Sequence, residues 1–284
     1  MVCQGQVNGS YSPFIHLAHA ISGLRYSLET KFAMLTCYFD ESGGEDRGFM
    51  IVCGYVASVE QWDNFEVDWK LFLIKYGVPY FHTKEFAQCK GPFAKWEEDK
   101  YKSVRAAFCD HAGAIIHNRA ERAFICNIGT AAFDATDKQY ELRELFNSPY
   151  AMAGRMCASA AREWSTQRLD PPEMEYVFED GGPDKGGLNR AMTELRPRFS
   201  DPIVRPSRDM KDGRKGVIQL QAADFLAYEL GKWQADLTKA PTRPPRKSLR
   251  ATLRVYSKDV AMMNVPRLRA LCEEIHIARR RQGG

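Results

Sequence analysis

No apolar run in the sequence approaches the ~18 residues of a bilayer span, which excludes a membrane-crossing helix and a membrane partner. The eight cysteines form no Cys-x-x-Cys pair, so neither a zinc ribbon nor a dithiol redox motif is present. Several lie inside apolar stretches (Cys37 in LTCYF, Cys53 in MIVCGYV, Cys126 in FICNI), where a free thiol behaves as a small hydrophobe; this reads as a reduced, cytoplasmic protein. The glycine-rich GGPDKGG (181–187) lacks the Gly-Lys-Ser/Thr of a Walker loop and reads as a turn. There is no Ser-His or Cys-His nucleophile signature and no internal repeat.

What is present is a chain of 284 residues, 44% apolar and 27% charged, long enough for one sizeable core and too apolar to be disordered throughout. The net charge of +4 is unevenly spread: residues 239–284 carry twelve Lys or Arg against three acids. A basic C-terminal region on a mildly acidic body points to a polyanion partner. Residues 1–33 lack a basic n-region and a long apolar core, so no secretory signal is expected there. They are expected to be a loosely attached extension, because the globular pattern starts at Met34.

From there strands alternate with helices. MLTCYF (34–39) and FMIVCGYVA (49–57) flank a Gly/Asp-rich turn and predict an antiparallel hairpin. Trp62, Phe65, Trp69, Phe72 and Tyr76 recur at three and four, predicting a helix that stops at Gly77. FHTKEF (81–86) reads as an irregular piece, 97–117 as a helix, 123–133 as strand-like and 140–167 as one long helix. EMEYVFED (173–180) predicts a strand ending in acids, 187–198 a helix, and 217–237 contains another helix. This order predicts an α/β domain over 34–237, a mixed sheet flanked by helices with helical insertions, followed by a basic linker and helical tail over 238–284.

Carboxylates fall where open α/β sheets do chemistry, beyond the C-terminal ends of strands. Asp40 and Glu41 close the first strand, Glu179 and Asp180 a later one, and Asp224 enters a helix beside Ala222, Ala223 and Phe225. Carboxylates gathered at one place repel unless a cation neutralises them, and hard divalent ions take such oxygen ligands. Alternation along a strand cannot choose within either pair, since the facing of each strand is unknown. His82 and Glu85 in FHTKEF are secondary candidates, as proton carrier and further carboxylate. Arg243, Arg246, Lys247 and Arg250, in a stretch without acids, could follow a nucleic-acid backbone.

YFDESG together with IQLQAADFLAYE resembles the domain of unknown function 3800 family, whose pattern of Asp-Glu followed far later by Gln-x-x-Asp is matched by Asp40-Glu41 and Gln221-x-x-Asp224. FHTKEF and YVFEDGG are also similar to stretches of that family, and the resemblance spans about 34–255. It implies a ribonuclease H-like fold, in which acids on the first strand, a middle strand and a last helix bind two metals. Asp40, Glu179 or Asp180, and Asp224 fall in those places. Such a core opens with three antiparallel strands, of which two are read here. The expectation is therefore a nuclease that uses Mg²⁺ or Mn²⁺ on nucleic acid. The alternative is a non-catalytic nucleic-acid-binding or interaction protein on the same scaffold.

Overall fold

The computed structural model of the chain describes residues 34–195, 197–255 and 258–282, with the side chains of the last helix described as far as Ile275. The expectation for residues 1–33 lies outside the described residues. Strand β1 (Met34–Gly44) turns through a short 3-10 segment into β2 (Phe49–Ser58). The hairpin expected from the sequence is there, but β1 runs past Phe39 to Gly44, because pairing with β2 continues to Gly44 opposite Phe49. Helix α1 (Val59–Tyr76) starts where the Ser58 hydroxyl accepts the Gln61 N–H, and stops at Gly77, whose φ of 67° suits the left-handed region. Helices α2 (Thr83–Ala87) and α3 (Lys102–Arg119) then lead into β3 (Arg122–Gly129).

Helix α4 (Thr130–Tyr140) begins inside the stretch read as strand-like to residue 133, and the single helix expected over 140–167 is two, α5 (Leu142–Phe146) and α6 (Pro149–Thr166). The breaks fall at Glu141 and Asn147, both with positive φ, and Ser148 and Pro149 cap and open the next helix. The chain continues through β4 (Glu173–Glu179), α7 (Lys185–Thr193), β5 (Ile203–Arg205) and α8 (Leu220–Lys239). Helix α9 (Lys247–Thr252), β6 (Lys258–Met263) and α10 (Val265–Gln282) complete it.

The six strands form one mixed sheet in the order β5-β4-β1-β2-β3-β6. Strand β2 runs antiparallel to both of its neighbours, β1 and β3, while β4 runs parallel to β1, β5 to β4 and β6 to β3. The third strand of the antiparallel set is β3, within the stretch read as strand-like over 123–133, and the α1–α3 insertion separates it from β2. The boundary drawn at residue 237 is corrected as well. The 238–284 segment is not an appended tail, since β6 extends the sheet, Leu249 of α9 is buried on one face, and Leu268 and Cys272 of α10 are buried on the other. Its strand was hidden because β6 is an edge strand with only Met263 buried, so it carries little apolar signal.

Both faces of the sheet are covered. Tyr38, Ile51, Cys53, Tyr55 and Val177 face α1, α3, α8 and α9, in a layer dense in aromatic rings such as Trp69, Phe81 and Phe108. Leu35, Cys37, Phe39, Val52 and Phe178 face the small-residue surface of α6 and the layer of α7 and α10. Among the described residues no helix is long and apolar enough to cross a membrane.

Candidate metal and phosphate site

Strand alternation, once the faces are known, sorts the acids. Residues 38 and 177 share the α8 face and pair in parallel register, so Asp40 and Glu179, two residues further on, share that face side by side at the strand ends. Glu41 and Asp180 have the opposite parity. Helix α8 lies across β1 on the Asp40 face. Gly231 makes this approach possible, since a Cβ there would collide with Ser42 Oγ at the end of β1. The contact brings the first turns of α8, and with them Asp224, over the strand ends.

Asp40, Glu41, Glu179, Asp180 and Asp224 all line one cleft of about 760 Å³, whose walls include His82, Ser207, Arg208 and Tyr228. Burial pushes the Asp40 carboxyl well above the usual range, and the charges of Glu41, Asp224 and Glu179 add to the effect. Burial likewise pushes Glu179 up to about 7, Glu41 up to about 6, and Asp224 upward. Asp40 and Glu41 shift together, but the members of the other pair part company. Asp180 is held below the ordinary carboxylate range by hydrogen bonds from Lys185 and Arg214, which occupy both of its oxygens. Glu179 receives the Ser207 N–H on Oε1 at 3.0 Å, and its Oε2 is buried with no partner. Of the two, Glu179 is the carboxylate with an oxygen to give.

Among the described residues, no group of three or more His, Cys, Asp or Glu side chains already meets as a metal-holding set. The local hydrogen bonds account for where the carboxylates sit. Asp40 Oδ1 accepts the Glu41 N–H at 2.7 Å and Asp224 Oδ2 accepts the Thr83 N–H at 2.7 Å. Backbone donors thus take up part of the negative charge that a cation would otherwise balance.

Gln221 organises this arrangement, and its position in Gln-x-x-Asp is informative. Residues i and i+3 share a helix face. The buried Gln221 amide accepts from Trp69 Nε1 and from the Phe81 N–H, both at 2.9 Å, and donates to Ser207 O at 2.9 Å. It thereby fixes two loops, one delivering the Thr83 N–H to Asp224 and the other the Ser207 N–H to Glu179.

Glu85 and the basic stretch stand apart from the carboxylate cluster. Glu85 is not an additional carboxylate of the cluster: Oε1 accepts from Arg208 Nη1 at 2.7 Å and Oε2 from the Tyr80 hydroxyl at 2.8 Å. Burial alone would raise its carboxyl, but these bonds prevail and hold it below the ordinary range. Arg243, Arg246, Lys247 and Arg250 do not line the cleft. Arg246 pairs with Glu229 at 3.1 Å and Arg243 with Asp236 at 3.5 Å, so half of that basic set is engaged within the chain. The cations on the cleft wall are different ones, Arg47, Lys84, Arg208 and Lys232. Isolated in sequence, they gave no signal. His82 does line the cleft, with Nδ1 3.3 Å from Glu85 Oε1.

The raised carboxyls make a pH prediction for the metal-free protein. Glu179 and Glu41 hold protons when folded at pH values where the unfolded chain has released them, so their contribution weakens as pH rises from the ordinary carboxylate range through about 7. The melting temperature in EDTA should fall by several degrees between about pH 5 and about pH 8, and Glu179→Gln should flatten that fall. A wild-type profile that rises across this interval would mean the carboxylates are not sharing protons in the fold.

Comparison with protein-family models, with characterised proteins and with solved structures returns no match.

Proposed function

We propose that the protein hydrolyses phosphodiester bonds of nucleic acid with divalent cations held by Asp40, Glu179 and Asp224. The observation that carries this reading is the convergence, in one cleft, of buried and half-buried carboxylates from β1, β4 and α8 that have no ion-pair partner among the described residues, with Glu179 Oε2 itself buried and unpartnered among them. Hard carboxylate oxygens in this number suit Mg²⁺ or Mn²⁺. The three antiparallel strands β1–β3, with β4 running parallel to β1, support the ribonuclease H-like fold implied by the family resemblance. So do the positions of the acids on the first strand, a middle strand and a late helix.

When bound, such ions activate water and stabilise the leaving oxygen of an in-line displacement. The chain's own groups do the rest. A water oxygen bonds to phosphorus while one P–O ester bond opens; the water loses a proton and the leaving oxygen gains one. Glu41, which lines the cleft with its carboxyl raised to about 6, can accept the first proton, and His82 is the lining residue able to carry the second. The phosphate backbone is drawn to Arg47, Lys84 and Lys232, which have no ion-pair partner among the described residues and so keep their charge for a polyanion.

The test is Mn²⁺ calorimetry beside a cleavage assay on mixed DNA and RNA substrates. Wild type should bind Mn²⁺ and cleave, and Asp40→Asn should lose both. Replacing Arg47, Lys84 and Lys232 by Ala should leave Mn²⁺ binding intact. It should also flatten the slope of log affinity against log salt by about two units, since each lost contact retains nearly one counterion. Wild-type protein that binds no Mn²⁺ and cleaves neither substrate sinks the reading.

A further inference from the structure

We infer that Arg208 grips the phosphate entering this cleft, and that Glu85 and Tyr80 serve to hold its guanidinium in place. The inference rests on the phosphodiester reading above and assigns the substrate contact within it. Arg208 lines the same cleft as Asp40, Glu179 and Asp224, close enough to Asp224 for its charge to oppose the rise of that carboxyl. A cation beside so many carboxylates would be expected to pair with one of them. Its ion pair is instead with Glu85, at 2.7 Å, a residue that does not line the cleft. Its guanidinium carbon also lies 5.1 Å from the centre of the Tyr80 ring. Tyr80 in turn donates its hydroxyl to the other Glu85 oxygen, so the three side chains brace one another.

The backbone below is equally constrained. Ser207, the preceding residue, is tied to Glu179 through its N–H and to Gln221 through its carbonyl. The loop that Arg208 begins is closed by the Val217 N–H on Pro206 O at 2.7 Å and by the Gly216 N–H on Asp209 Oδ1 at 2.9 Å. At Gly216 the chain passes so near that a Cβ would strike the Arg208 backbone. A long, flexible side chain has therefore been given a fixed root and a fixed stem. The Glu85 bond uses Nη1, which leaves most of the fork's five N–H donors for an incoming group. Planar, pre-oriented donors match a phosphate in a way that a lysine point charge does not. Glu85 keeps the guanidinium from collapsing onto Asp224, which would cancel a charge the metals need and bury one the substrate needs.

The experiment compares Arg208→Ala, Arg208→Lys and Glu85→Gln with wild type in three measurements. These are Mn²⁺ affinity by calorimetry, affinity for short single-stranded DNA and RNA oligonucleotides in Ca²⁺, and kcat and KM for cleavage in Mn²⁺. Arg208→Ala should weaken oligonucleotide binding by roughly tenfold or more, the scale of a lost charge-assisted phosphate contact. It should leave Mn²⁺ affinity unchanged or tighter, because a positive charge near Asp224 has gone. Arg208→Lys should recover only part of the binding. Glu85→Gln should raise KM with Mn²⁺ affinity retained. Both of the latter changes nearly preserve volume, so they report even if the Ala variant fails to fold. Oligonucleotide affinity that is unaltered in Arg208→Lys and Glu85→Gln would overturn the assignment. So would loss of Mn²⁺ binding in step with loss of oligonucleotide binding, which would make Arg208 a support of the carboxylate cluster. If wild type binds oligonucleotide in Ca²⁺ but never cleaves, the nuclease reading fails while the binding measurements still decide the role of Arg208.

Discussion

Asp224→Asn should lower divalent-dependent cleavage by orders of magnitude while the fold persists. The amide oxygen of Asn can still accept the Thr83 N–H that Asp224 Oδ2 now takes, so the backbone bond survives. What disappears is a negative oxygen, on which hard cations depend. In EDTA the melting temperature should hold or rise, because burial already works against the charged form of Asp224 and one member of a repelling group is gone. The upward shift expected of the wild type in Mn²⁺ should shrink or vanish in the variant, since a ligand stabilises only as far as it binds the folded state. Oligonucleotide binding without metal should survive or tighten, as repulsion of phosphate falls. Melting curves in EDTA and in Mn²⁺, run beside the cleavage assay, check all of this. A variant that melts early yet still cleaves would remove Asp224 from the catalytic set and make it a structural charge.

Gln221→Leu should have the opposite signature, a large loss of stability. It leaves the Trp69 Nε1–H, the Phe81 N–H and the Ser207 carbonyl buried without their partner. Each such orphan costs about 1–3 kcal/mol, so a loss of roughly 4 kcal/mol is expected by urea denaturation with an unchanged slope. Since the Phe81 and Ser207 loops carry the donors for Asp224 and Glu179, Mn²⁺ affinity of the remaining folded protein should fall too. Gln221→Glu should also fail: it removes the donor to Ser207 O and buries a charge. A Gln221→Leu protein as stable as wild type would show that the loops are held by something other than this amide.

These two residues show how unevenly the site could be read. Gln221 and Asp224 stand three apart in one helix, so a local motif carried them. Their partners Trp69, Phe81, Thr83 and Ser207 come from three other parts of the chain with no spacing to betray them. Glu85 has the residue type and the neighbourhood of a metal ligand, and only the contact with Arg208 and Tyr80 shows that both of its oxygens are spent. The basic stretch at 243–250 looked like the polyanion contact because its charges are adjacent in sequence. Two of them pair with Asp236 and Glu229 of the same chain, while the cations that do line the cleft come from four separate segments.

The sequence by itself determined the alternation of strands and helices, the opening hairpin, the aromatic face of α1 and the acids at two strand ends and one helix start. These follow from periodicity and turn chemistry, which act over a few residues. Tertiary structure decided which acid of each pair lies on the face that α8 covers. Period-2 alternation separates Asp40 from Glu41 and Glu179 from Asp180, but it cannot say which face is which. That choice was made by α8 packing on the Tyr38 face, at the close approach of Gly231 to Ser42, and by the parallel register that sets Asp40 beside Glu179. The sixth strand was decided in the same way. The β6 segment buries little, and it becomes a strand because β3 presents an unpaired row of backbone donors and acceptors for it to join.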